Sequence, residues 1–336
     1  MRTAIVSAAI AAIVAVILFL GAGDPQGPNA FIVIGVATGS IYGLVALGLV
    51  LVYKGSRVFN FAQGEFGTLA AFITYVLIEQ VRSVEIPYGI AAGVAIVAVV
   101  AIGLLMERLI VRPLMSAPRI TLLVATIAFS LFAIGIQILL FLPEAKDLVP
   151  LIQPIDAQGN PVGPTIFNYQ LDPQSMLIIG LLIAMAVGLG YFFAKTDLGL
   201  AVLATSQDAF ATRVVGIGVE RMSRFIWGSA AFLGAVAGIL FVPLAGALAP
   251  GSVTSGVLIP GFTAAVIGGM TSLPGAFVGG IVVGIIQQLG LWASGHYSIG
   301  GDLLQLIVPG FSNIAIFVAL LIVLLVRPQG LLGSEA

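Results

Sequence analysis

The sequence predicts an all-α, polytopic membrane protein with about ten transmembrane spans, some of them broken or re-entrant. Three observations predict it: an apolar composition with few ions, apolar runs of span length along the whole chain, and basic residues sorted to alternate connections. Of the 336 residues, 60% are apolar and 8% charged, where a soluble domain carries about a quarter charged. So few ions cannot coat a water-facing surface, and most of the surface must face hydrocarbon.

A span takes about 20 apolar residues. Runs of that kind lie near 3–22, 30–53, 61–80, 88–107, 120–142, 175–194, 225–248, 256–272, 275–293 and 304–326. The first follows Arg2 and ends on the small residues Gly21, Ala22 and Gly23, so it also has the form of a signal peptide. It is retained as a span because its orientation fits the rest. The eighth and ninth hold Pro260, Gly261, Gly268, Gly269, Pro274 and Gly275. One of them is expected to be irregular, which lipid permits only where protein or a watery cavity covers the backbone.

With the N-terminus cytoplasmic, Arg2, Lys54, Arg57, Arg108, Arg112, Arg119, Lys195, Arg213, Arg221, Arg224 and Arg327 fall inside. Only Arg82 and Lys146 fall outside, so 11 of the 13 basic residues share one side, as the positive-inside rule requires. Ten spans return both termini to the cytoplasm, in the cell membrane. The chain reads as one transmembrane domain, 1–336, with two long connections. The outer one, 143–174, is a small hairpin or an irregular surface loop; the inner one, 195–224, patterns as a short amphipathic helix with a break at Gly216–Gly218. Glycines four apart (Gly35, Gly39 and Gly43; Gly234 and Gly238; Gly275 and Gly279; Gly280 and Gly284) make smooth strips for close helix packing.

Several chemistries are excluded. There are no cysteines and one histidine, His296, so neither disulfides nor a metal site is expected. No G-x-x-x-x-G-K-[ST] run is present, so this chain does not hydrolyse ATP itself. No catalytic constellation stands out, and a net charge of −1 gives no case for nucleic acid. Glu65 and Glu107 are expected near the inner boundary and Glu79 near the outer one. An ion-coupled carrier or channel usually needs an ionisable group near mid-membrane, so that alternative is disfavoured.

The residues that remain form ordered blocks. Tyr42 to Tyr53 reads YGLVALGLVLVY and Arg57 to Phe66 reads RVFNFAQGEF. Ala204 to Ile217 reads ATSQDAFATRVVGI, Ala264 to Gly280 reads AAVIGGMTSLPGAFVGG, and Arg327 to Gly333 reads RPQGLLG. Together, over about residues 30 to 333, they resemble branched-chain amino-acid importer permeases of the ATP-binding cassette class, H-type subunit. Two departures are Leu203, where the family commonly has Arg, and Gln63, where His is frequent. The resemblance implies a second permease subunit, two cytoplasmic ATPase subunits that use ATP and Mg, and an extracytoplasmic substrate-binding protein; this chain itself holds no cofactor. It implies leucine, isoleucine or valine as cargo, while related permeases carry urea, short amides or other amino acids.

Site candidates follow. Residues Ala204, Asp208, Ala209, Arg213 and Gly216 of the inner loop are expected to form a lever docked on the ATPase. Asn60, Gln63 and Glu65, bracketed by Phe59, Phe61 and Phe66, either line the pathway or its inner gate, or form a network that fixes helix packing; buried polar groups are costly unless satisfied. Gln137 and Asn313 are candidates to face the central pathway. Of the neighbours Gln287 and Gln288, only one is expected to point inward. Backbone in the stretch 250–280 either meets solute, as in broken transporter helices, or packs closely. The outer loop 143–174 and His296 are candidates for contact with the binding protein.

Overall fold

The structure, a computed structural model, describes residues 27–80, 86–141, 144–152, 162–166, 169–207, 209–296, 311–327 and 329–333. The expected first span, 3–22, lies outside them. The described chain runs α1 (Pro28–Ser56), α2 (Gln63–Tyr75, extended by a π-turn Val76–Gln80), α3 (Tyr88–Met106, extended by a π-turn Glu107–Val111) and α4 (Arg119–Phe141). A hairpin of β1 (Thr165–Ile166) and β2 (Tyr169–Gln170) precedes α5 (Pro173–Lys195), α6 (Asp197–Gln207), α7 (Ala209–Val214) and α8 (Val219–Ala245). A π-turn Thr254–Leu258 leads into α9 (Ile259–Gly268), then α10 (Leu273–His296) and α11 (Phe311–Val326).

Among the described residues, six helices are long and apolar enough to cross a membrane: α1, α3, α4, α5, α8 and α10. Three shorter apolar segments stand where other spans are expected, 63–80, 254–268 and 311–326. An all-α multi-pass architecture is thus established, and about ten spans is compatible with it.

Local chemistry fixes the helix ends. Pro28 opens α1 behind an extended Gly27, and α1 stops where Arg57 turns left-handed (φ 56°) with its N–H on the Tyr53 carbonyl. Asp172 caps α5, accepting from the Ser175 N–H at 2.8 Å, with Pro173 in the first turn; such a cap satisfies an amide that has no partner within the helix. In the described part of the connection 143–174, β1 and β2 pair antiparallel, with Leu171 N–H donating to the Pro164 carbonyl at 3.0 Å. Burial, and then the Asp172 carboxylate, raise the Tyr169 phenol above its ordinary value, which keeps it neutral.

Helices α1 and α8 form the centre, and the largest fully buried side chains cluster there: Trp227, Leu233, Ile41, Leu44 and Leu47, with Phe66 and Phe72 from α2. The peripheral helices turn large apolar side chains outward, including Val97, Leu139, Val187 and Leu325. Each glycine strip meets a partner. A Cβ on Gly35 would stand 2.7 Å from the Ile285 Cα, and one on Gly39 2.6 Å from the Gly280 carbonyl oxygen. Gly234 and Gly238 receive the Gln63–Gly67 turn of α2, and Gly279 receives Ala264 and Gly268 of α9. Small residues let these backbones touch.

Because the α1–α10 seam is so close, side chains on both sides of it reach across. The Tyr42 hydroxyl donates to Gln287 Oε1, and Gln288 Nε2 donates to Thr38 Oγ1 at 3.4 Å. Both glutamines therefore face α1, correcting the expectation that only one would point inward.

Candidate functional site

Two connections run into the bundle instead of skirting it. Arg57–Ala62 leads from the end of α1 to an α2 that begins well inside. Gln63 lies against Gly48 of α1, eight residues short of Ser56, or about 12 Å at 1.5 Å per residue. On α8, Gln63 Nε2 donates to the Ala230 carbonyl at 2.9 Å, eleven residues from Val219, or about 17 Å. From the opposite end, the chain after α8 turns at Gly246 (φ 71°) and Gly251 (φ 70°) and dips inward to the π-turn. The expected irregularity near 250–280 is this dip, and the segment is broken at its start.

These inward connections meet at Glu65. Its carboxylate accepts from Gln137 Nε2 at 2.6 Å and from the Thr254 hydroxyl at 2.5 Å. Gln137 Oε1 in turn accepts from the Gly251 N–H at 3.0 Å, and the Val253 N–H donates to Thr68 Oγ1 at 3.3 Å. Beside this, Asn60 Nδ2 donates to Gln63 Oε1 at 3.3 Å while Asn60 Oδ1 accepts from the Ala62 N–H at 3.1 Å. The Phe61 N–H reaches Thr126 Oγ1 at 3.2 Å. Asn60, Gln63, Glu65, Thr68 and Gln137 are all shut off from solvent. One polar hub thereby ties α2, α4, α8 and the start of the 254–268 segment together.

The depth of Glu65 differs from the sequence expectation. Hydropathy counts the run 61–80 as helix from its first residue, which sets Glu65 at the inner boundary. The irregular Arg57–Ala62 stretch instead carries it to the interior. Among the described residues no cation lies within ion-pair distance of it. Glu107, also fully buried, does sit at the end of its helix, where Arg112 lies 3.6 Å away and reaches Glu220 at 2.8 Å.

The remaining candidates separate from the hub. Asn313 is exposed on α11. Asp208 and the side chains of Ala209 and His296 lie outside the described residues. Ala204 and Arg213 are exposed at the end of the bundle that gathers Arg57, Arg112, Arg119 and Arg221. There the inner loop is two short helices, α6 and α7, where one is expected. Val202, Thr205 and Thr212 anchor them inward. Beyond them Val214 and Val215 are 72% and 73% exposed, next to Gly216 in a left-handed turn (φ 85°). Thr254, Gly251 and Thr68 are hub members that sequence reasoning did not single out; the two threonines show only as hydroxyls interrupting apolar runs, and Gly251 joins through its backbone N–H. Among the described residues no group of acidic or histidine side chains could hold a metal ion.

The hub's connectivity gives a measurable expectation. Glu65→Ala orphans two donors and Gln137→Leu strands the Gly251 amide, and each unpaired buried group costs about 1–3 kcal/mol. Because both changes break one network, the double variant should be less destabilised than the two single losses added together. Thermal unfolding of the detergent-solubilised protein measures this; simple additivity would show the hub to be independent contacts.

The chain matches the family described as branched-chain amino acid transport system / permease component over residues 31–326. It is 31% identical over 308 residues to the high-affinity branched-chain amino acid transport system permease protein BraD of Pseudomonas aeruginosa, covering 89% of this chain and 94% of that protein. It is 29% identical to LivH of Escherichia coli, with 89% and 93% covered, and 25% identical to the probable LivH of Methanocaldococcus jannaschii, with 87% and 88% covered. PsaBC from Streptococcus pneumoniae aligns over 90% of this chain and 91% of its own at 14% identity and a TM-score of 0.45, too weak a likeness to carry weight.

Proposed function

The chain belongs to the family of branched-chain amino acid transport system permease components, and on that premise we propose that it imports leucine, isoleucine or valine as one of two permease subunits driven by two cytoplasmic ATPases. An extracytoplasmic binding protein delivers the cargo. The subunit lies in the cytoplasmic membrane with the arginine-rich end facing the cytoplasm, the side on which basic residues are retained.

The observation that carries the coupling part is the exposed pair Val214 and Val215 at the basic end. A plain solvated loop gains nothing from two neighbouring bare valines, whereas a docking tip does. The α6–α7 segment is the lever, and Ala204, Asp208, Ala209, Arg213 and Gly216 are the residues assigned to coupling. The buried hub of Asn60, Gln63, Glu65 and Gln137 is a lock that holds two broken segments in register. That reading is supported by the closure of its hydrogen bonds within the bundle. Glu65 is enclosed by its donors, so it serves packing rather than an ion path.

The test is reconstitution of this chain with its second permease, ATPases and binding protein in liposomes. Leucine uptake is expected only with ATP inside and all components present. Uptake by this polypeptide alone, driven by an ion gradient, would overturn the reading. Calorimetry of the binding protein with leucine, isoleucine, valine, urea and short amides identifies the cargo.

A further inference from the structure

We infer that the cavity behind the lever is a binding site for a phosphate group, which braces the lever against the helix bundle. The cavity, about 390 Å³, lies between the start of α8, the end of α1, the 111–119 connection and the α6–α7 segment. It therefore touches both the moving part and the body it would move against. The bracing role rests on the lever reading; the binding itself does not.

Three arginines line this one cavity: Arg57 from the end of α1, Arg119 from the start of α4 and Arg213 from α7. None of the ion pairs among the described residues engages them, since Arg112 takes both Glu107 and Glu220 and Lys146 takes Glu144. No described carboxylate lines the cavity either. Three cations around one recess repel one another unless an anion sits between them. Guanidinium groups, with their forked donors, suit a phosphate in particular.

A second observation points the same way. Ser223, on the first turns of α8, also lines the cavity, and its hydroxyl is buried with no hydrogen-bond partner. A buried donor left without an acceptor costs free energy, and a phosphate oxygen in the cavity would supply one. Arg57 is the one described non-glycine residue with a positive φ, a conformation uncommon for such a side chain. That turn sets Arg57 at the cavity wall.

The phosphate could belong to an anionic lipid headgroup or to a free phosphate ester. Basic pockets between helices on the cytoplasmic side take lipid headgroups, and Ile120 and Val124, 65% and 55% exposed on α4 just beyond Arg119, offer apolar surface for a chain. The volume admits either source.

The test uses the assembled permease–ATPase complex in nanodiscs. One arm adds phosphatidylglycerol to phosphatidylcholine discs and counts retained lipid by native mass spectrometry. The other titrates inorganic phosphate and glycerol 3-phosphate into pure phosphatidylcholine discs by calorimetry. Saturable binding is expected in one arm, which identifies the source. It should weaken about tenfold or more in Arg119→Gln and several-fold in Ser223→Ala, in line with the loss of a charged and of a neutral hydrogen bond. Two variants are used so that one that fails to assemble leaves the other to decide. No saturable binding in either arm, or equal binding by an assembled variant, overturns the site. Arginine-dependent binding in a complex that neither transports nor stimulates its ATPase would sink the lever reading alone.

Discussion

Gly216→Val is expected to uncouple the ATPase from transport while leaving membrane insertion and assembly intact. Gly216 adopts φ 85°, and nothing lies within 4 Å of where its Cβ would be. A substitution there meets no steric obstacle from neighbours; its whole effect comes through the backbone. A β-branched residue resists the left-handed region, at about 1–2 kcal/mol, which converts to roughly a 5–30-fold shift away from the native turn. Asparagine tolerates that region far better. Uptake and stimulated ATPase activity should therefore fall steeply with Val, modestly with Ala and little with Asn. Were Val and Asn equally active, the turn would have no part in coupling. Were both equally dead, a side chain would be excluded by the docked partner, and Ala would separate that from backbone strain.

The second large effect lies in the seam between α1 and α10. Gly39→Val should prevent accumulation of the folded subunit. Its Cβ would stand 2.6 Å from the Gly280 carbonyl oxygen and 2.9 Å from the Ile281 Cα. These are backbone atoms in the middle of a helix, so no side chain can swing aside, and overpacking of even adaptable cores costs about 1–3 kcal/mol. Gly93→Val on α3 is the control, because Gly93 is exposed and has nothing within 4 Å of the added carbon. Expression and thermal melting of the two variants, side by side, measure the difference. A normal melt for Gly39→Val would mean that the two helices stand further apart than these distances.

Much of the architecture is legible in the residues alone. Composition and run length fix the helical, membrane-spanning class, since too few ions exist to coat a soluble surface and nothing but a helix satisfies its backbone within one span in lipid. Spacing fixes the glycine strips; the helix ends at Asp172, Pro173 and Gly246 rest on local chemistry that the apolar runs did not mark, the expected span 225–248 running through Gly246. What spacing leaves open is which strip meets which: that Gly35 and Gly39 receive Gly280 and Gly284, and Gly67 receives Gly238, depends on contacts between distant segments.

The polar hub shows the same division. Asn60, Gln63, Glu65 and Gln137 can each be marked as costly in an apolar run, because the penalty for burying a polar group belongs to the residue itself. Their union cannot be read, because Glu65 and Gln137 are 72 residues apart and Glu65 and Thr254 are 189 apart. Hydropathy also begins the second described span within the Arg57–Ala62 stretch, and so misjudges the depth of Glu65. By itself the sequence determined the class, the apolar runs and the costly residues, which follow from transfer free energies and local geometry. Only the tertiary structure decided how deep those residues lie and which partner satisfies each, because hydrogen bonds and close packing are set by positions in space.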